Sequence, residues 1–116
     1  MNLVIADDII DESGSPHTGF RSLDISGDEQ LRLNNMFKAL GNPLRFEILK
    51  FLLAHPSCIT KDVVEAMPIA QATVSQHLKV LRQAGWVASE AKCQTTCHWL
   101  DEENIAWFKG KVQEIF

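Results

Sequence analysis

KDVVEAMPIAQATVSQHLKVLRQAG, from Lys61 to Gly85, is the stretch whose reading decides the fold. It breaks at Met67-Pro68-Ile69, so it predicts a short helix, a tight turn and a longer second helix. In the second helix Val74, Leu78 and Leu81 recur at i, i+4 and i+7, which stacks them on one face. At about 100° per residue, Ala72, Ser75, Gln76, Lys79 and Gln83 fall on the other side. That side offers hydrogen-bonding groups and one cation, with no carboxylate. Two helices joined by a short turn, the second with a polar and acid-free face, suit a helix that enters a DNA groove. The same pattern also describes an ordinary amphipathic helix pair, and periodicity alone does not separate the two.

Working outward, Gly85 ends the second helix. Trp86 to Ser89 and Thr96 to Leu100 read as two strands, with Glu90 to Thr95 as their loop. Asp101-Glu102-Glu103 opens a last helix, acids at its positive dipole end, and Ile105, Phe108, Val112 and Ile115 form an apolar stripe along it. Upstream, Thr60 is the expected N-cap of the first motif helix. Ala70, at the cap of the second, has no side-chain oxygen and forfeits about 1 kcal/mol. Pro43 suits the first turn of an earlier helix in which Leu44, Phe46, Ile48, Leu49, Phe51, Leu52 and Leu53 cover most of the circumference, the pattern of a central helix. Before it, Ser26 and Glu29 are spaced as a capping box, Leu33, Met36, Phe37 and Leu40 share a face, and Gly41 is the expected end. The expected fold is mainly α, about five helices plus a two-stranded hairpin.

At 116 residues, 46% of them apolar, the chain is one small domain over 26–116 with an acidic extension over 1–25. No apolar run reaches the ~18 residues of a membrane span, and no basic-then-apolar leader opens the chain. Three unevenly spaced cysteines do not suggest a secreted disulfide scaffold, so the expected compartment is the cytoplasm. The net charge of −4 is unevenly distributed. Residues 1–30 hold seven acids and one base, and the remainder ten bases and eight acids, so the globular part is mildly basic. This favours modest, salt-sensitive affinity for DNA. The extension contains Leu3, Val4, Ile5, Ile9, Ile10 and Phe20, and reads either as a loose tail or as a segment that packs on a partner copy. No nucleophile-base pair, phosphate loop or paired carboxylates in a cleft-forming context stand out, so no catalysis is expected.

The run Ala72 to Gly85, with VSQHLKVL at 74–81, resembles the recognition helix of the ArsR-type winged-helix repressors, the arsenic- and metal-responsive family. ALGNPLRFEIL at 39–49 resembles the same family's opening helices, and the likeness runs from about Leu31 to the C-terminus. It implies a winged helix-turn-helix in which the first and last helices pair across a two-fold axis. Leu33, Met36, Phe37, Leu40, Ile105, Phe108, Val112 and Ile115 are then the expected dimer interface. Gln71, Ser75 and Gln76 are the candidates for reading base edges, and Thr73, Lys79, Arg82 and Lys92 for contacting phosphate. The expected partner is double-stranded DNA carrying an inverted-repeat operator. The alternative is a winged helix that binds protein and has no operator. Family wings tend to be rich in Arg and Lys, whereas here Lys92 is alone beside Glu90, and the usual cap serine is replaced by Ala70.

Metal-sensing members of the family carry a Cys-Val-Cys that falls here on Ile59 and Lys61, and a second site on the last helix, which has no histidine in this chain. Both familiar ion sites are therefore missing. Cys93, Cys97 and Cys58 remain, with His98 beside Cys97. They could hold a thiophilic ion such as As(III) or Zn²⁺, form a redox-switched disulfide, or simply pack. Strand alternation sets Cys97 and His98 on opposite faces.

Overall fold

A computed structural model describes residues 27–116. The acidic extension and Ser26 lie outside the described residues. The order is α1 (Asp28–Ala39), α2 (Pro43–Ala54), β1 (Cys58–Ile59), α3 (Thr60–Ala66), α4 (Gln71–Ala84), β2 (Val87–Lys92), β3 (Thr95–Leu100) and α5 (Glu102–Ile115). No helix among the described residues is long and apolar enough to cross a membrane.

α3 and α4 are the two helices expected of the motif, and Val74, Leu78 and Leu81 are buried to within 1%. They meet Met36, Ile48, Leu52, Val63, Trp86 and Val87 in one core. Gly85 holds the left-handed C-cap of α4 at φ 99°, a conformation open to glycine at little cost. The Trp86 N–H donates back to the Leu81 carbonyl at 2.9 Å and the Gly85 N–H to Arg82 at 3.1 Å, closing the helix end.

β2 and β3 form an antiparallel hairpin paired from Val87↔Leu100 to Lys92↔Thr95, which leaves only Cys93 and Gln94 as the turn. The expected six-residue loop is thus mostly strand. β1 adds a third strand, with Cys58 opposite His98 and Ile59 opposite Cys97, giving the order β1-β3-β2. The hairpin is thereby tied to the start of α3.

Several helix ends differ from expectation. Gly27, without a side-chain cap, precedes α1. Thr60 is the first residue of α3 rather than its cap; the Asp62 carboxylate accepts from the Ile59 N–H at 3.0 Å instead. Asn42, not singled out in the sequence, caps α2 by accepting from the N–H groups of Leu44 (2.8 Å) and Arg45 (3.2 Å) ahead of Pro43.

The end of α1 is the most informative of these. A helix leaves its last carbonyls without full intrahelical partners. Here the Lys38 carbonyl accepts from Gly41 and the Phe37 carbonyl from Leu40, with no left-handed glycine. The other two are met by side chains, one six residues on and one fifty residues on. Trp86 Nε1–H donates to the Met36 carbonyl at 2.8 Å and Arg45 Nε–H to the Ala39 carbonyl at 2.6 Å. α1 therefore ends at Gly41 as expected, but without a left-handed glycine, and tertiary donors complete the cap.

α2 is not enclosed all round. Ile48, Leu49 and Leu52 are buried, but Phe46 is 45% and Leu53 65% exposed. A chain of this size covers one side of α2, with α4 and β3, and leaves the other to water.

Candidate nucleic-acid interface

With Val74, Leu78 and Leu81 turned into the core, the opposite side of α4 faces solvent. Gln71, Thr73, Ser75, Gln76, Lys79 and Arg82 are all exposed, as is Lys92 at the end of β2. No carboxylate within salt-bridge distance of Lys79 or Arg82 is found among the described residues. Ala70 stands at the N-cap with no side-chain hydrogen bond, as its sequence implied, so α4 begins with free backbone donors toward the same surface. α4 is fixed behind this face by Arg45, whose guanidinium lies 3.4 Å from His77 Nδ1 while also holding the end of α1. Burial and then the Arg45 charge hold the His77 imidazole below its ordinary value, so near neutral pH it serves as a neutral packing partner.

The hairpin turn comes round to the start of α3 and α4, leaving a polar cleft of about 380 Å³. Gln71 and Ser75 line it from α4, Lys61 and Thr60 from α3, and Thr95 and Thr96 from the hairpin. Sequence reading found the two α4 residues but not the others, because strand β1 is what brings the hairpin to α3.

One buried polar residue fastens this arrangement. His98 is 3% exposed, with Nε2 at 2.8 Å from the Thr60 hydroxyl and Nδ1 at 2.7 Å from the Ser89 hydroxyl. A neutral imidazole donates at one nitrogen and accepts at the other, and hydroxyls can do either, so all three residues are satisfied. The bridge joins α3 to both hairpin strands. Burial first, then the Arg82 charge, pushes the His98 pKa below its usual 6.5. The unfolded chain therefore binds more protons in that range, so the contribution of His98 is complete above about pH 6.5 and lost as pH falls toward the folded value. The thermal midpoint should drop between about pH 7 and about pH 5. The drop should be smaller in His98→Asn, which cannot titrate; equal drops would remove His98 as the cause.

Among the described residues no three His, Cys, Asp or Glu side chains are grouped to hold a metal. Cys93 is exposed at the turn with φ 54°, Cys97 is half-buried opposite Ile59 and Glu90, and Cys58 is buried across from His98. Burial, followed by the charges of Asp62 and Cys97, raises the Cys58 thiol to about 11, which keeps it protonated at neutral pH and a poor ligand. A rise of ~3.4 Å per strand residue puts roughly 7 Å between Thr95 and Cys97 alone, so the hairpin holds Cys93 away from Cys97.

The expected dimer residues divide into two groups. Leu33 and Met36 are 7% and 0% exposed within a single chain, so both pack inward, Met36 into the core that α4 shares. Leu40, Ile105 and Phe108 are partly buried against the same core. Phe108 also makes edge contacts with Phe37 (4.9 Å) and Trp86 (4.8 Å). Phe37 nevertheless remains 46% exposed, as do Leu31 at 47% and Ile115 at 61%. α5 buries no residue fully, and Val112 is half-buried. α1 and α5 lean together through Arg32, stacked 3.8 Å over Trp107 and donating to Asn104 at 2.7 Å, and through Lys111 and Glu29 at 3.0 Å. They present a shared apolar surface that the single chain leaves open.

Residues 42–89 match the arsR family of bacterial regulatory proteins. The transcriptional repressor SdpR of Bacillus subtilis is 32% identical over 86 residues, covering 71% of this chain and 94% of that protein. The arsenical resistance operon repressor of the same organism is 30% identical over 84 residues, covering 72% and 80%. Among solved structures, an ArsR-like transcriptional regulator from Rhodococcus superposes with a TM-score of 0.69 at 19% identity, over 77% of this chain and 83% of that one. The homodimeric winged helix-turn-helix DNA-binding domain of a Mycobacterium bovis protein gives a TM-score of 0.65 at 22% identity, over 80% and 85%. These two share the fold.

Proposed function

Because the chain belongs to the ArsR family of bacterial regulatory proteins, we propose that it is a homodimeric, sequence-specific transcriptional repressor of the cytoplasm that holds an inverted-repeat operator through α4. The observation that carries this is the division of a single helix. Val74, Leu78 and Leu81 are buried, while Gln71, Ser75 and Gln76 are exposed and carboxylate-free. Amide and hydroxyl groups at those positions can reach base edges in a major groove. Thr73, Lys79 and Arg82 flank them and can fix register on phosphate, with Lys92 adding a single wing cation. The open apolar surface of α1 and α5 would pair with its copy, and the M. bovis neighbour is homodimeric. A two-fold dimer sets the two α4 helices on half-sites about 34 Å apart.

The test is selection of an operator from random duplexes, followed by gel shift at two salt concentrations. Gln76→Ala should lose about 1–3 kcal/mol of discrimination at one base pair per half-site, with random-duplex binding retained. If wild type itself holds selected and random duplexes alike, α4 does not read sequence. The weakly basic wing favours one other reading, a protein-binding winged helix. Failure to retain any duplex at low salt would select it.

A further inference from the structure

The end of α2, the base of the hairpin and the start of α5 border a cleft of about 630 Å³ to which α4 contributes no residue. Leu52 and Leu53 form one wall, Trp99 and Leu100 another, and Asp101 and Glu102 stand in the third. Its lining includes two carboxylates and no Lys, Arg or His. The Asp101 carboxylate accepts from the Asn104 N–H at 3.1 Å and the Asn104 side-chain amide at 2.9 Å, both neutral donors that leave its charge in place. Glu102, exposed in the first turn of α5, makes no ion pair among the described residues. The positive end of the α5 dipole amounts to roughly half a charge, well short of cancelling two carboxylates. The apolar walls are equally unspent: Leu53 is 65% exposed and Trp99 half-buried.

We propose that this cleft is a binding site for a small hydrophobic cation, an aryl- or alkyl-substituted ammonium or a compound of like charge and shape. The volume lies within the ~300–1,000 Å³ of small-molecule sites. An organic cation gains on each wall: apolar area against Leu53 and Leu100, an aromatic ring in Trp99, and opposite charge from Asp101 and Glu102. A metal ion would find too few oxygens, and an organic anion would be repelled. The site stands apart from the DNA-facing side of α4, so it is measured without DNA, and its failure would leave the operator reading untouched.

The experiment is calorimetric titration of the full chain with tetraphenylphosphonium, and with tetraphenylborate as a probe of the same shape and opposite charge. Saturable binding of one phosphonium per chain is expected, weakened at least tenfold in both Glu102→Lys and Leu53→Lys. Both positions are exposed, so the variants should fold, which circular dichroism checks. The borate should bind at least tenfold more weakly than the phosphonium. Equal affinity for the two probes, or phosphonium affinity unchanged in either variant, overturns the proposal.

Discussion

Trp86→Ala is expected to lower the free energy of unfolding by about 3–5 kcal/mol, the range for removing a large buried aromatic. A domain of this size has about 5–15 kcal/mol in all, so the variant should unfold at much lower urea or be partly unfolded at 37 °C. The reason is where the residue stands. Its ring is 5% exposed and meets Phe108 edge-on at 4.8 Å, and its indole N–H holds the Met36 carbonyl at the end of α1. Its main chain links the end of α4 to the start of α5, since the Trp86 carbonyl accepts from the Asp101 N–H at 3.0 Å. Removing the side chain therefore takes away both the cap on α1 and the Phe108 contact on α5, while the main-chain bond to Asp101 remains. Trp86→Phe keeps most of the apolar contact but strips a donor from a buried carbonyl, and should cost about 1–3 kcal/mol. Equilibrium urea denaturation gives both values. If the alanine variant loses less than the phenylalanine range, the account of Trp86 as the joint of the three helices is wrong.

The second large effect concerns salt. Each phosphate neutralised by a cation contributes about 0.9 to the slope of log affinity against log salt. If Lys79 and Arg82 each meet one phosphate in each half of a dimer, Lys79→Ala/Arg82→Ala should flatten the slope by about 3.6. The advantage of wild type over the double variant should then shrink on the order of a hundredfold between about 50 mM and about 200 mM salt. The loss should be nearly the same for operator and random duplexes, which distinguishes it from the loss expected of Gln76→Ala. Fluorescence anisotropy on labelled duplexes across that range measures the slope. An unchanged slope would mean that neither side chain touches phosphate, and that α4 approaches the duplex differently or not at all.

The exposed polar face of α4 was legible in the sequence because it depends on local rules. The positions of Val74, Leu78 and Leu81, the glycine at 85 and the missing cap oxygen at Ala70 act over one or two helical turns, and each is found where the pattern put it. The stop of α1 falls at Gly41 as the pattern implies, but how its carbonyls are capped was hidden for the complementary reason. Leu40 and Gly41 meet two of the end carbonyls, while those of Ala39 and Met36 are met by Arg45 and by Trp86, the latter fifty residues away in the chain. The third strand was equally hidden, since two residues, Cys58 and Ile59, carry no periodicity and become a strand only by pairing with β3. That pairing drew the hairpin to α3, buried His98 between Thr60 and Ser89, and set Cys58 beside the middle of β3 while Cys93 stands at the turn. It also decided the fate of the α1 stripe. Periodicity gathered Leu33, Met36, Phe37 and Leu40 on one side, yet only packing against α4 determined that Met36 turns inward and Phe37 stays partly exposed. Residue order on its own set which side chains share a helix face. Which of those faces meets the core and which stays open to a second molecule was settled by contacts between distant segments, whose energies no local spacing encodes.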